Sequence, residues 1–389
     1  MKKQETDLIL TQMLNSRKNI SDLNFTVGRP PQVECDGVLH PVVLAPDLSA
    51  LTPYQTEELA LSIIGQNRRA LRHLVEEGAC DLSYTVPGKT RFRANIFSQS
   101  GGNYSIVLRK VDSTVPSIKT FGLPEIFYEI AGEKNGLIFV CGATGMGKST
   151  SIAAMLDAVN ETQPVHVITL EDPIEFQHTS KKATFNQREL GTDFSTFNKG
   201  LISSLRQSPK VIMMGEMRDY DSAEIGLRAA ETGHLVLTTL HTIDAGRTIN
   251  RILGFFEGEE KKQARIRLAS TVRWIVCQRL LPTKAAEGGR IAAFEILGNS
   301  MRTEEIILNG ESEGKTFYSV MQAGRHRGMC TFDDSILRLY SKGLIDENVA
   351  LAYASQRGFV SRGIDRIKIS RGETTSDITG LELDRSYRG

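Results

Sequence analysis

Gly142-Ala143-Thr144-Gly145-Met146-Gly147-Lys148-Ser149 is the stretch on which the reading of this chain turns. It matches the pattern G-x-x-x-x-G-K-[ST]. Glycines let successive backbone N–H groups turn inward around phosphate oxygens with no Cβ in the way. Lys148 is expected to bring an ammonium to the β/γ-phosphates and Ser149 a hydroxyl to Mg²⁺. The flanks agree. Leu137–Cys141 is a short apolar run of the kind that forms a buried strand, and a helix is expected from Ser149 to about Val159. The positive end of that helix would face the same anion. Gly142, Ala143, Thr144, Gly145, Met146, Gly147, Lys148, Ser149 and Thr150 are therefore the expected nucleotide cradle.

Working outward, Val165–Leu170, Val211–Met214 and Leu235–Leu240 are also apolar on both faces and alternate with helical stretches. That pattern predicts parallel β-α-β units covered by helices on both sides. Ligands bind at the C-terminal ends of such strands. Val165–Leu170 runs into Glu171-Asp172-Pro173-Ile174-Glu175, and Val211–Met214 into Gly215-Glu216-Met217-Arg218-Asp219. The second resembles a Walker B segment with Glu216 where Asp is usual. One acidic residue after a strand is commonly a solvated loop or a helix cap. Two such strand ends downstream of a phosphate loop point to Mg²⁺ binding and water activation. His234 and His241 bracket Leu235–Leu240; the alternatives are structural histidines or sensors of a γ-phosphate or a neighbouring subunit. Lys261 to Val276 has helical spacing, and Thr331 to Tyr340 begins another helix.

The first part of the chain has a different texture. Gln32–Cys35 and Val38–His40 flank Asp36-Gly37, a two-residue hairpin signal. Thr52, Pro53 and Gln55 form the opening of a capped helix. Asp81–Val86, Arg91–Phe97 and Asn103–Arg109 read as strands, giving a small α+β domain. In Arg91–Phe97 strict alternation puts Arg91, Arg93 and Asn95 on one face, and Phe92, Ala94 and Ile96 on the other. The arginine face is either solvated or aimed at phosphate, as Arg109 at the end of the next strand could be. Val111–Thr120 reads as a linker, and the polar stretch from about Gly372 as a disordered tail. The expected division is residues 1–112, a linker at 113–120, an ATPase domain at 121–371 and a tail at 372–389.

Composition bounds the function. The 389 residues allow two domains. A net charge of +1 provides no global field for nucleic acid or an anionic membrane. The five cysteines form no CxxC pair, so free thiols are expected and a zinc module is not. The N-terminus lacks the apolar core of a signal peptide, and no run reaches the ~20 apolar residues of a membrane span. Membrane association is expected only through partners, with no direct nucleic acid.

At this point the residues resemble a known family. Ser21-Asp22-Leu23, Gly28-Arg29-Pro30-Pro31, Arg91–Asn95, Gly142–Thr150, Glu171–Phe176, Asn186–Glu189, Gly215–Asp219 and Glu231 through Thr242 are similar to secretion-superfamily ATPases. The likeness is greatest to the type IV pilus retraction (twitching motility, PilT/PilU-like) branch. It implies a PAS-like α+β N-terminal domain, a RecA-like P-loop domain and a homohexameric ring binding ATP and Mg²⁺. By motif, Glu175 would polarise the attacking water and Glu216 would sit near Mg²⁺ with Ser149. His234 and His241 would form the His-box pair, while Arg93 and Arg109 would close on phosphate. The implied partner is a pilus platform protein of the inner membrane, met from its cytoplasmic face. Asn24 and Lys210 depart from the family's common pattern, Met301–Ile307 departs from that of the retraction branch, and Gln278-Arg279-Leu280 is closer to the accessory relative. A type IV secretion or conjugation ATPase, or an accessory pilus ATPase, is the alternative.

Overall fold

The computed structural model describes residues 2–45, 48–111, 114–284 and 289–373. Of the tail expected at 372–389, all but the first two residues lie outside the described residues. In chain order the strands are β1 (Ile20–Phe25), β2 (Gln32–Cys35), β3 (Val38–Pro41), β4 (Ala79–Val86), β5 (Thr90–Gln99) and β6 (Asn103–Val111). They continue with β7 (Gly136–Cys141), β8 (His166–Glu171), β9 (Thr184–Glu189), β10 (Val211–Met214), β11 (Leu235–Leu240), β12 (Val272–Pro282) and β13 (Arg290–Gly298). The chain packs as two compact units. One comprises Met1–Gly136 and Ser149–Thr238; the other comprises Leu137–Lys148 and the chain from Thr239 onward.

The first unit opens with an antiparallel sheet in the order β3-β2-β1-β6-β5-β4, accompanied by helices Lys3–Ser16, Pro53–Ile64 and Arg68–Glu77. This is the α+β N-terminal arrangement expected. The β2–β3 hairpin turns at Asp36 and Gly37, whose φ angles of 52° and 81° are the left-handed pair of a tight hairpin turn. Thr52 caps Pro53–Ile64: its hydroxyl accepts from Gln55 N at 3.3 Å, and Gln55 Oε1 accepts from Thr52 N at 2.9 Å. Phe92, Ala94 and Ile96 of β5 are fully buried with Leu10, Met13, Leu23, Phe25, Ile106 and Leu108. Each large side chain so buried contributes about 1.5–3 kcal/mol before entropy is counted. The same unit holds β10, β8, β9 and the first four residues of β11 as adjacent parallel strands. All four residues of β10 and all six of β11 are buried, as strands covered on both faces must be.

In the second unit β7 pairs in parallel with β12, and β12 pairs antiparallel with β13. β7 is buried at every position and enters the glycine-rich loop; helix Lys148–Thr162 leaves it. The helix expected over Lys261–Val276 is corrected here: Gly258–Thr271 is helical, but Val272 begins β12. Apolar β-branched and aromatic residues follow the helix without a glycine to mark the change. Pairing with β7 decides their state. The five cysteines are all free and buried. Among the described residues no helix is long and apolar enough to cross a membrane.

Candidate functional site

In the second unit, Gly142, Gly145 and Gly147 adopt φ angles of +148°, +76° and +81°, which a side chain would oppose. Two of them also lack room. A Cβ on Gly142 would lie 2.6 Å from the carbonyl oxygen of Gln278, and one on Gly147 would lie 2.9 Å from Gln278 Nε2. β12 thus backs the loop. Leu280 N donates to Met146 Sδ at 3.3 Å, and Arg290 Nη1 donates to Gly145 O at 3.4 Å. Lys148 Nζ donates to Gly142 O at 2.7 Å and Ala143 O at 3.2 Å, which holds the ammonium under the loop's arch. Gln278 was not legible as a support, because nothing in its local sequence points at a loop so far away.

In the first unit, a cavity of about 760 Å³ is lined by Arg93, Arg109, Lys110, Phe121, Thr150 and Glu175, among others. Its size suits a nucleotide-sized ligand. Three cations face one exposed carboxylate there, so an anionic ligand is favoured. Arg93 stands opposite Arg109 in the β5–β6 ladder, and Arg109 stands opposite Asp22 in the β1–β6 ladder. Arg109 Nε donates to the buried Asp22 Oδ1 at 2.9 Å, while the rest of Arg109 is exposed. Arg91 is a correction to the solvated-face alternative: it is buried and donates to Glu189.

The loop after β8 is tightly held. The Glu171 carboxylate accepts from Thr169 Oγ1 at 2.6 Å and Gln187 Nε2 at 3.1 Å. Burial pushes this carboxyl above its ordinary range, and those hydrogen bonds oppose the rise. His178 stacks on Phe185 with ring centroids 4.7 Å apart, and burial lowers its pKa to about 4, so the ring is neutral. After β10, the half-buried Glu216 accepts from Arg218 Nε at 2.8 Å. Asp219 instead caps helix Tyr220–Glu231 by accepting from Ser222 N at 2.9 Å. His234 precedes β11, and its Nδ1 lies 3.0 Å from Ala229 O and 3.1 Å from Thr232 Oγ1. His241 follows β11 and is exposed. The cavity therefore brings together Arg93, Arg109, Thr150 and Glu175; Glu216, His234 and His241 are not among its walls.

Among the described residues no group of three or more His, Cys, Asp or Glu gathers to hold a metal ion. The oxygens of Ser149 and Glu216 are hard donors of the kind Mg²⁺ takes alongside phosphate and water.

A glycine arch with a lysine beneath it, entered by a buried parallel strand and left by a helix, defines a P-loop nucleoside-triphosphatase. The chain belongs to the type II/IV secretion system protein family, whose profile matches residues 64–332. The type IV pilus retractation ATPase PilT of Pseudomonas aeruginosa is 38% identical over 343 residues, covering 88% of this chain and 96% of that protein. The type IV pilus ATPase PilU of the same organism is 36% identical over 368 residues, covering 94% of each. The crystal structure of the pilus retraction motor PilT with bound ADP superposes with a TM-score of 0.78 at 38% identity. That superposition covers 92% of this chain and 98% of that one.

Proposed function

We propose that this chain is an ATP-hydrolysing motor subunit that powers type IV pilus retraction. The observation that carries the reading is the cavity in which Arg93 and Arg109 face Glu175 and Thr150. Its likeness along nearly the whole chain to a pilus retraction ATPase supplies the biological setting. In this reading the working form is a homohexameric ring on the cytoplasmic side of the inner membrane, acting on a pilus platform protein. The division into residues 1–112, 113–120 and 121–371 is part of the proposal.

The assigned roles follow from the chemistry of each group. Gly142–Gly147 offer backbone N–H groups to the phosphates, and Lys148 neutralises β/γ charge. Ser149 and Glu216 would hold Mg²⁺, whose contribution when bound is to neutralise charge on the β- and γ-oxygens. Glu175 orients the attacking water. Arg93 and Arg109 meet charge as it develops on the γ-phosphoryl, where a guanidinium stabilises the transition state more than the ground state. His234 and His241 are read as the His-box pair of the ring.

The test is phosphate release by the purified full-length chain and by Lys148→Ala, with gene deletion scored for twitching and pilus number. Loss of hydrolysis in the variant and hyperpiliated, non-twitching deletion cells are expected. Unchanged hydrolysis by Lys148→Ala would overturn the site, and normal twitching in deletion cells would overturn the motor assignment.

A further inference from the structure

Glu175 lies on a loop whose backbone is pinned at Ile174, Phe176 and His178. On one side, Ile174 N donates to Glu189 Oε2 at 3.1 Å. On the other, Phe176 O accepts from Gln187 Nε2 at 2.8 Å, and His178 N donates to Gln187 Oε1 at 2.8 Å. Gln187 and Glu189 are two apart on β9, so they share one face of that strand. The polar alternation of β9 is the device that fixes this loop.

Glu189 does more than Gln187. The oxygen that accepts from Ile174 N also accepts from Arg91 Nη2. Arg91 and Glu189 are both buried, and Glu189 N is itself held by Asp193 Oδ2 at 2.7 Å. Arg91 is two residues before Arg93 on the same face of β5. A single carboxylate oxygen therefore receives one donor from the arginine strand and one from the glutamate loop. Each donor lies within two residues of a group that lines the cavity. A charge-assisted pair in a site closed to water has little freedom to lengthen or swing.

We propose that Glu189 is a positioning residue that sets the spacing between the strand carrying Arg93 and the loop carrying Glu175, and so governs turnover without touching ATP. The inference rests on the reading of Arg93 and Glu175 as groups that act on ATP. Glu189→Gln keeps an acceptor for Ile174 N but removes the charge that holds Arg91. Outer groups that orient working residues typically matter by about 10–100-fold.

The experiment measures kcat, KM and equilibrium binding of a fluorescent ADP analogue for the full-length chain and for Glu189→Gln, Arg91→Met, Arg91→Lys and the Glu189→Gln/Arg91→Met double variant. Thermal unfolding is followed in parallel. The expected result is a kcat lower by about tenfold or more, with nucleotide affinity within about threefold. Arg91→Lys should retain more turnover than Arg91→Met. The double variant should be no slower than the slower single one, since both changes break one link. Wild-type kcat in Glu189→Gln, additive losses in the double variant, or equal losses of affinity and kcat would each overturn the inference. If Glu189→Gln does not fold, the contrast between Arg91→Met and Arg91→Lys tests the same link from its other end. Glu175→Gln serves as the control for the underlying reading. Undiminished hydrolysis in that variant removes the reading and the inference together, whereas lost hydrolysis there beside a normal Glu189→Gln removes the inference alone.

Discussion

Arg93 is the direct cross-strand partner of Arg109. Two guanidinium groups facing each other on one sheet face repel, and such pairs are unfavourable by a few tenths of a kcal/mol in a sheet. Asp22 offsets part of this by accepting from Arg109 Nε at 2.9 Å from the strand on the far side. The ladder thus holds two cations side by side, one steered by a buried carboxylate and one exposed at the cavity wall.

Arg93→Ala and Arg109→Ala should each lower kcat by about 10²-fold or more, as removal of charge-stabilising donors does elsewhere. Nucleotide affinity should fall far less. Steady-state hydrolysis set beside equilibrium binding checks this, and equal losses in both would refute the closing role. Asp22→Asn should give a smaller kcat loss, because Arg109 remains and keeps an acceptor, losing only the charge that steers it.

Glu175→Gln should reduce turnover by about 10²–10⁴-fold while leaving nucleotide binding nearly intact, since only the water-orienting carboxylate is neutralised. Single-turnover phosphate release is the measurement. A variant that hydrolyses at the wild-type rate would move the role to another residue, with Glu216 the first to examine.

Gly142→Ala should abolish nucleotide binding and cost about 2 kcal/mol or more of stability. A φ of +148° and a Cβ within 2.6 Å of Gln278 O are both unfavourable. Nucleotide titration and urea unfolding read the two effects separately. Wild-type affinity in that variant would mean the loop has another way to close.

Much of this was legible because short-range chemistry carries it. The phosphate loop declares itself in eight residues, and its buried strand and helix follow from apolar content and length. The Asp36-Gly37 hairpin and the Thr52 cap have local causes and form where the local pattern places them. What could not be read depends on distant partners. Period-2 counting put Arg91 and Arg93 on one face of β5, yet it cannot say that Glu189, 98 residues away, buries the first and leaves the second open. The end of helix Gly258–Thr271 was hidden because Val272 continues the apolar pattern while the backbone turns extended to join β7. β9 was missed because its side chains are mostly polar, two of them, Gln187 and Glu189, holding the loop beside the strand.

The pH dependence of stability should carry a signature of Glu295. Burial, with Asp244 and Asp333 adding to it, pushes this carboxyl up to about 7, against a hydrogen bond from Ala245 N at 2.9 Å. The sign is that of a raised pKa. The folded state keeps the proton that the unfolded chain releases near 4.5, so stability from this group is full below that value and is lost as pH rises through 7. Ionising it in place costs roughly 3 kcal/mol. Urea unfolding at pH 5 and pH 8 should therefore show a smaller loss across that range for Glu295→Gln, which keeps the acceptor, than for wild type. Identical losses in the two proteins would remove Glu295 as the cause.

The two glycines that abut Gln278 differ in whether a lesion could ever be repaired. At Gly147 the obstacle is the far end of a side chain, so a smaller residue at 278 would clear the space and leave only the torsional penalty. At Gly142 the obstacle is a main-chain oxygen, which every amino acid at 278 supplies alike. A genetic screen for intragenic revertants should recover changes at codon 278 from an alanine at 147 and none there from an alanine at 142.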